Sequence, residues 1–352
     1  MNALTKKVLT AINKAPLGAG IGEYASRISE VLGKERVLSL ILDKNQVNLE
    51  YPGVAYRGIY PPITSGWFLN THFPKYTFRH SGFKFSNFVH YLSPFLFPIK
   101  GVKYIVTFHD LYYLHSIGFS MNNVSKLTKK YMDCNYLLSV SYSTKEEMVS
   151  IGFDADNITV IHPSPSNIFI SSCKFRDDLL HSFIEKYHVT KPIVLTVGDG
   201  INKNNFLVNK AIKDKYFHIH IGKEIIADLN LNNIDNRILK EMYCIADVFI
   251  RLSSYEGLGS PPIESAMSGT PTVVSNLPVF HETLGDSAIY SNLEAESILQ
   301  SIKCAMDQKE QLIKAFNDKY KNRYTFERFK HDMINYYSRV SDEIGLDLGF
   351  KL

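Results

Sequence analysis

The chain has 352 residues, of which 45% are hydrophobic and 21% are charged, and its formal net charge is +4. This length is too great for one ordinary α/β core, and it predicts two domains of similar size in a globular protein. So small a positive charge argues against a nucleic-acid-binding protein, while an anionic ligand or an anionic membrane face remains open as a partner.

The cysteines lie far apart in sequence, without a C-x-x-C pair, which predicts neither a zinc site nor a disulfide framework. They are Cys134, Cys173, Cys244 and Cys304. Residues 1–12 lack the long apolar core of a signal peptide, and the sequence has no apolar run long enough to span a bilayer. We therefore expect a reducing compartment, the cytoplasm, with peripheral attachment at the inner face of the membrane left open.

Glycines join the first strand to the first helix. Residues 7–12 (KVLTAI) predict a buried strand, and apolar residues at helical spacing predict a helix over 23–32. Between them, Gly18, Gly20 and Gly22 predict a loop whose backbone amides approach a ligand without a side chain in the way. For Gly18, a tight turn is an equally good explanation.

An aromatic stretch and a strand with a polar end follow. Residues 60–98 are rich in aromatic side chains, and we favour a core for them over a rim that binds an acceptor or a membrane. Residues 102–110 (VKYIVTFHD) predict a buried strand that ends in His109 and Asp110.

Ser143 is predicted to begin the capping box of a helix. Two further strands of the first domain are predicted over 137–141 and 157–163, with a linker up to about Lys191.

The second half carries two strand-to-helix turns. Residues 193–197 predict a strand, and a polar turn with Lys203 follows it. Residues 248–250 predict another strand, followed by a glycine-rich turn and by Pro261 and Pro262, which suit the first turn of a helix. Such turns bring backbone amides and helix N-termini to one edge of a parallel sheet, where anions bind. Further elements are a strand over 272–274 and a final helix from 325.

The second of these turns resembles the donor-binding motif of a known family. The pattern E-G-F-G-x-P-x-x-E, then A-x-x-x-G-x-P-V, is typical of the retaining glycosyltransferases called glycosyl transferases group 1 (family four). It is matched by Glu256-Gly257-Leu258-Gly259-Ser260-Pro261-Pro262-Ile263-Glu264 and by Ala266 to Pro271. The resemblance implies an α/β protein of the GT-B fold, with two Rossmann-like domains facing a cleft and a C-terminal helix that crosses back. The expected domains are 1–175 on the acceptor side, 176–323 for the nucleotide sugar and 324–352 for the returning helix.

The resemblance also implies roles for the residues of the motif. Glu264 would hold the ribose hydroxyls of the donor, and Glu256 would contact the hydroxyls of the sugar and stabilise positive charge on its ring. The amides of Gly257, Leu258 and Gly259, together with the helix dipole, would steady the departing diphosphate.

In the first domain, the loop with Gly20 and Gly22 would close over the diphosphate and the sugar. His109 would contact a sugar hydroxyl, with Asp110 as a nearby acceptor or orienting group.

Related enzymes often carry Arg-Lys-Asn after the first strand of the second domain. Here Lys203 takes the place of the arginine and, by this resemblance, would bind the diphosphate, but Asn204 takes the place of the lysine. One cation is therefore missing, and Arg251 and Lys223 are the candidates to replace it.

The implied reaction moves a hexose, with mannose from GDP-mannose mildly preferred, from a nucleotide diphosphate sugar to a saccharide or lipid-linked acceptor with retention of configuration. Asp154-Ala155-Asp156 matches the D-x-D motif of metal-dependent enzymes, but we interpret it as a polar turn and expect neither a metal nor a cofactor. Two alternatives stay open: a nucleotide-sugar epimerase of the same fold, which acts on the donor alone, and a degenerate subunit that binds the donor without turnover. The oligomeric state is not predicted.

Overall fold

The structure is a computed structural model that describes residues 10–13, 20–32, 37–39, 88–94, 103–117, 130–131, 134–170, 173 and 176–346. The chain divides into two compact units, residues 1–164 with 326–352, and residues 165–325. These boundaries differ from the expected ones at 175/176 and 323/324. Most of the aromatic stretch over 60–98 and the segment between β1 and Gly20 lie outside the described residues.

The first unit contains a six-stranded parallel sheet in the order β2-β1-β3-β4-β5-β6. Its elements are β1 (Thr10–Asn13), α1 (Gly20–Leu32), β2 (Val37–Ser39), β3 (Phe88–Tyr91), β4 (Lys103–Phe108), α2 (Tyr112–Ile117), β5 (Leu137–Ser139), α3 (Tyr142–Ser150) and β6 (Ile158–Val160). The second unit contains α4 (Arg176–Tyr187), β7 (Ile193–Val197), α5 (Asn205–Ile212), β8 (Phe217–Ile221), β9 (Leu229–Leu231), α6 (Asn236–Ile245), β10 (Val248–Arg251), α7 (Ser260–Met267), β11 (Thr272–Ser275), α8 (Pro278–Thr283), β12 (Ile289–Ser291), α9 (Ala295–Asp307) and α10 (Lys309–Lys319). The last helix, α11 (Phe326–Ile344), belongs to the first unit.

Helix α11 completes the core of the first unit. Its buried side chains recur every three or four residues, so that one face of the helix is apolar. On that face, Phe329, Met333 and Tyr337 pack in one cluster with Tyr24 and Ile28 of α1. The return of the chain is therefore driven by burial of this face.

The strand order of the second unit determines where its loops meet. All pairs are parallel, in the order β12-β11-β10-β7-β8-β9. The chain runs outward from β7 to β9 and then from β10 to β12 in the opposite direction, so the order reverses between β7 and β10. Ligands of doubly wound folds bind at the carboxyl ends of the strands on either side of such a reversal.

Three expectations about local structure were wrong. Helix α1 begins at Gly20, so Gly20 and Gly22 lie in its first turn and not in a loop before it. Helix α3 is capped by Ser141, whose Oγ accepts a hydrogen bond of 3.0 Å from the Thr144 amide, because Ser141 has the extended backbone that a cap needs and Ser143 is already helical. The stretch expected to be a linker contains helix α4.

The expectation about disulfides was also wrong. Cys173 and Cys244 are 71 residues apart in sequence, but their Cα atoms are 5.8 Å apart and a disulfide joins them. The proximity arises because the turn over 167–170 packs on α6, where the rings of Phe169 and Tyr243 meet edge to face at 5.8 Å. Sequence spacing carries no information about this contact.

Candidate active site

The loops after β7 and β10 are hydrogen-bonded to each other at the reversal of the second sheet. The Ser254 amide donates to the Asn202 carbonyl at 2.8 Å, and Asn202 Nδ2 donates to the Tyr255 carbonyl at 3.3 Å. The Asn204 side chain donates to the Leu252 carbonyl at 2.6 Å. These bonds fix the two loops as one surface at the carboxyl edge.

Glycine is required where the second loop enters helix α7. Gly259 has a φ of 82°, and a Cβ atom at this position would lie 2.5 Å from Cε1 of Phe280. The helix begins at the next residue, with Pro261 and Pro262 in its first turn as predicted. The chain from Gly257 to Gly259 therefore lies at the positive end of the helix dipole, where an anion is stabilised.

Glu256 is the centre of a charged cluster. Lys203 Nζ and Ser253 Oγ each donate to Glu256 Oε1 at 2.7 Å, and Arg251 Nε lies 3.7 Å from the same oxygen. Burial raises the pKa of Glu256, but the attraction of Arg251 and Lys203 and the two hydrogen bonds outweigh this effect and hold the pKa below its usual value. Glu256 is therefore ionised at neutral pH.

Arg251 ends β10 and is only 3% exposed. Its Nε and Nη1 atoms are buried and have no hydrogen-bond partner among the described residues. Gly198, at the end of the neighbouring strand β7, has a φ of 85°, and a Cβ atom there would lie 3.2 Å from Arg251 Nη2. The guanidinium group thus lies against the backbone of the other loop.

The second carboxylate of the motif is oriented by a hydrogen bond from a buried tyrosine. Glu264 is partly buried in helix α7, and the hydroxyl of Tyr243 in α6 donates to its Oε2 atom at 3.1 Å. The Tyr243 side chain is fully buried, so this bond restricts the carboxylate to few positions. Neither Tyr243 nor Ser253 was predicted as a site residue, since their roles depend on contacts that the sequence does not reveal.

In the first unit, His109 follows β4 and is fixed as one tautomer. Its Nε2 atom lies 2.8 Å from the Leu92 carbonyl, and its ring meets that of Tyr24 edge to face at 4.8 Å. A carbonyl oxygen only accepts, so Nε2 carries the proton and Nδ1 is an acceptor. Burial lowers the pKa of His109 to about 4, and it outweighs the hydrogen bond to Leu92, which raises the pKa. The ring is therefore neutral at physiological pH.

Asp110 has a local structural contact. Its Oδ1 atom accepts a hydrogen bond of 3.0 Å from the Tyr112 amide, at the first residue of helix α2. The predicted site residues form two groups. His109 and Asp110 lie at the end of β4. The others lie together at the edge of the second sheet: Lys203, Glu256, Gly257, Leu258, Gly259 and Glu264. The two groups belong to different units.

Sequence reasoning missed a buried network behind His109. His90 bonds Tyr337 of α11 through Nδ1 at 2.8 Å and Thr107 of β4 through Nε2 at 2.7 Å. The hydroxyl of Tyr24 lies 3.2 Å from the Thr107 hydroxyl. This network ties α1, α11 and the strand that carries His109 to one another.

Among the described residues, one group has the chemistry of a metal site. Candidate ligand atoms of Asp199, His220 and Glu224 lie within 4.8 Å of one another. Asp199 Oδ1 accepts from the amides of Lys223 and Glu224, and Glu224 Oε1 accepts from the Gly200 amide. The carboxylates thus already hold the loops after β7 and β8 together. Asp154 accepts from the Asp156 amide in a short turn, as we interpreted the D-x-D match.

Comparison with known proteins supports the family that the motif indicates. The model of the family "Glycosyl transferases group 1" matches residues 229–324, which contain helix α7 and both glutamates. The match supports a group 1 glycosyltransferase. It is 27% identical over 267 residues to the O-antigen chain mannosyltransferase RfbU of Salmonella typhimurium, with 70% of this chain and 67% of that protein covered.

Two further similarities concern a second relative and the fold. The chain is 23% identical over 176 residues to the O-antigen biosynthesis glycosyltransferase WclY of Escherichia coli, a match that covers 50% of this chain and 46% of WclY. The crystal structure of Anabaena Alr3699/HepE in complex with UDP and glucose matches with a TM-score of 0.77 at 10% identity, and it covers 94% of this chain and 99% of that one. The predicted family, the GT-B fold and the class of enzyme, a glycosyltransferase, are therefore confirmed.

Within the described part of this glycosyltransferase, no helix is both long and apolar enough to cross a membrane.

Proposed function

We propose that this glycosyltransferase moves a hexose from a nucleotide diphosphate sugar to a hydroxyl of a saccharide or lipid-linked saccharide, with retention at the anomeric carbon. The observation that carries the proposal is the cluster around Glu256, where a mostly buried carboxylate, Lys203 and the start of helix α7 share one edge of the second sheet. A diphosphate needs the cation and the helix terminus, and a sugar needs the carboxylate.

Each residue on the donor side has a defined task. Glu264 binds the ribose hydroxyls with its carboxylate oriented by Tyr243. Lys203 and the amides of Gly257, Leu258 and Gly259 stabilise the diphosphate as it gains negative charge in the transition state. Because these groups supply positive charge, no divalent metal and no cofactor is required.

In the reaction, the bond between the anomeric carbon and the diphosphate oxygen breaks, and a bond to the acceptor oxygen forms on the same face. The acceptor proton passes to a phosphate oxygen of the departing diphosphate, so a separate general base is not needed. Glu256, held ionised by Arg251 and Lys203, binds sugar hydroxyls and stabilises the positive charge that develops on the ring. His109 accepts a hydrogen bond from a sugar hydroxyl through Nδ1, and Asp110 fixes the chain that follows it.

The acceptor belongs to polysaccharide assembly. This inference is supported by RfbU and WclY, whose names place both in the synthesis of O-antigen, and RfbU is a mannosyltransferase by name. We therefore propose mannose as the hexose and GDP-mannose as the donor. The enzyme acts at the cytoplasmic side, where its lipid-linked acceptor would hold it at the membrane surface.

The test is transfer of labelled hexose from GDP-mannose, UDP-glucose, UDP-galactose or UDP-N-acetylglucosamine to a glycolipid extract, with EDTA present. The one-bond coupling constant between C1 and H1 of the transferred sugar, measured by NMR, reports the anomeric configuration. We expect transfer from GDP-mannose with the configuration of the donor retained. An inverted product would refute the mechanism, product from donor alone would favour the epimerase alternative, and binding without any transfer would favour the degenerate subunit.

A further inference from the structure

Arg251 is an unusual residue for the end of a central strand. Its side chain is 3% exposed, but Nε and Nη1 lack a hydrogen-bond partner in the part of the chain that the structure describes. Buried N–H groups are almost always hydrogen-bonded, and leaving donors of a buried guanidinium group without an acceptor is costly. Such a group in the structure of a binding protein points to a ligand that completes its hydrogen bonds.

The position of Arg251 identifies where that ligand lies. Arg251 is at the carboxyl end of β10, and its Nη2 atom faces the Gly198 backbone at the end of β7, on the other side of the reversal. The strand order changes between these two strands, which is where doubly wound sheets bind phosphorylated ligands. The positive φ of Gly198, together with the missing side chain, leaves room for the guanidinium group there.

The charges of the cluster show what kind of ligand fits. Lys203 and Arg251 both approach Oε1 of Glu256, at 2.7 Å and 3.7 Å. Lys203 makes a hydrogen bond to this oxygen, whereas the longer contact of Arg251 leaves Nε and Nη1 without one among the described residues. The guanidinium group therefore keeps donors for a ligand, and phosphate oxygens match its planar fork.

Neither the residue at the usual place of the missing cation nor the other candidate, Lys223, fits as well. Asn204 stands where related enzymes have lysine, but its side chain is engaged with the Leu252 carbonyl and its backbone is left-handed, with a φ of 55°. Lys223 is exposed, and its backbone amide is fixed by Asp199. Neither offers a buried, oriented cation beside Glu256.

We infer that Arg251 is the second cation of the diphosphate site and that it binds the phosphate next to the transferred sugar. The proximity of Arg251 to Glu256, the carboxylate assigned to the sugar, selects that phosphate over the one next to the ribose. The inference rests on the proposed function, because it takes a nucleoside diphosphate sugar as the donor.

The experiment compares the affinities of GDP and GMP, with UDP and UMP as a second pair, for the wild type and for Arg251→Met, Arg251→Lys and Lys223→Met. GMP lacks the phosphate that Arg251 binds. We expect Arg251→Met to weaken GDP binding by about 10- to 100-fold and GMP binding by less than about 3-fold, as for the loss of a charge-assisted hydrogen bond. Arg251→Lys keeps the charge but not the planar fork, so its ratio of GDP to GMP affinity should lie between those of the wild type and Arg251→Met. Lys223→Met should keep the wild-type ratio.

Three outcomes would overturn the inference. The first is an unchanged ratio of GDP to GMP affinity in Arg251→Met, which would mean that Arg251 only keeps Glu256 ionised. The second is a change of the ratio in Lys223→Met instead. If Arg251→Met does not fold, an unchanged ratio in Arg251→Lys has the same force. Failure of the wild type to bind any of the four nucleotides would instead refute the proposed function itself.

Discussion

Lys203 donates a hydrogen bond of 2.7 Å to Glu256, and this bond joins the loop after β7 to the loop after β10. The two side chains are only 18% and 13% exposed, so water screens their attraction weakly. The donor must therefore share Lys203 with Glu256 when its diphosphate binds. Glu256 keeps its second cation, Arg251, and stays ionised beside the sugar.

Glu256→Gln should separate binding from turnover. The amide cannot balance two cations, so we expect the free energy of unfolding of the unliganded protein to fall by about 3 kcal/mol. GDP affinity should be kept or increased because Lys203 is released, while transfer of the hexose should be lost. Glu282→Gln, on helix α8, is the matched control. Loss of GDP affinity with normal turnover at saturation would contradict the assignment.

Gly259→Ala should be much more destabilising than Gly269→Ala. Both glycines have a φ of 82°, so each substitution has the same backbone cost of about 1 kcal/mol. Only at Gly259 would the new Cβ atom meet a ring, that of Phe280 at 2.5 Å, whereas at Gly269 nothing lies within 4 Å. The clash should add about 1–3 kcal/mol. An equal decrease in the melting temperatures of the two variants would show that the loop shifts to relieve the clash and would contradict the prediction.

Tyr243→Phe should weaken the recognition of ribose. Without the hydroxyl, the Glu264 carboxylate loses a bond of 3.1 Å, and we expect GDP affinity to fall by about 5- to 10-fold. The affinity of 2′,3′-dideoxy-GDP, which lacks the hydroxyls that Glu264 binds, should change little. Tyr324→Phe, which loses a buried bond to the Thr283 carbonyl in the same unit, is the control. Equal weakening of both nucleotides in Tyr243→Phe would assign that tyrosine to packing alone.

Buried histidines should make the protein sensitive to acid. Burial lowers the pKa of His90 and of His218 to about 3 and that of His109 to about 4, from 6.5 for the unperturbed side chain. The unfolded chain therefore binds these protons first as the pH falls. Stability should be unaffected by these groups above pH 6.5 and should fall between 6.5 and about 4, by up to about 1.4 kcal/mol per pH unit for each histidine.

The variant His90→Gln tests this pH dependence. It should reduce the slope of the melting temperature between pH 6.5 and 4, although it also lowers stability at neutral pH by removing the bonds to Tyr337 and Thr107. His181→Gln, at a side chain that is 75% exposed in helix α4, is the control. A slope in His90→Gln that parallels the wild type would show that His90 does not contribute.

Much of the second unit could be predicted from its sequence, because apolar runs, prolines and glycines act locally. The strands at 193–197 and 248–251 and helix α7 lie where the pattern placed them. The pairing of Lys203 with Glu256 could not be predicted, since it depends on the strand order that brings β7 beside β10.

Local rules failed where tertiary contacts outweigh them. Glycine is a poor helix former, which suggested a loop before residue 23, but α1 starts at Gly20. Its helix buries Tyr24, Ala25 and Ile28 in the core, and this burial outweighs the cost of two glycines. The Cys173–Cys244 bond and the network of His90 likewise join residues that are far apart in sequence.

The central claim is that the carboxyl edge of the second sheet binds a nucleoside diphosphate without a metal. Thermal stabilisation by GDP, UDP and ADP in the presence of EDTA tests it most directly. A nucleotide at a hundred times its dissociation constant should add about 2.7 kcal/mol to stability, which gives a clear shift in melting temperature. We expect one nucleotide to give this shift with EDTA as well as with magnesium. No shift with any of the three, or a shift that needs magnesium, would contradict the claim.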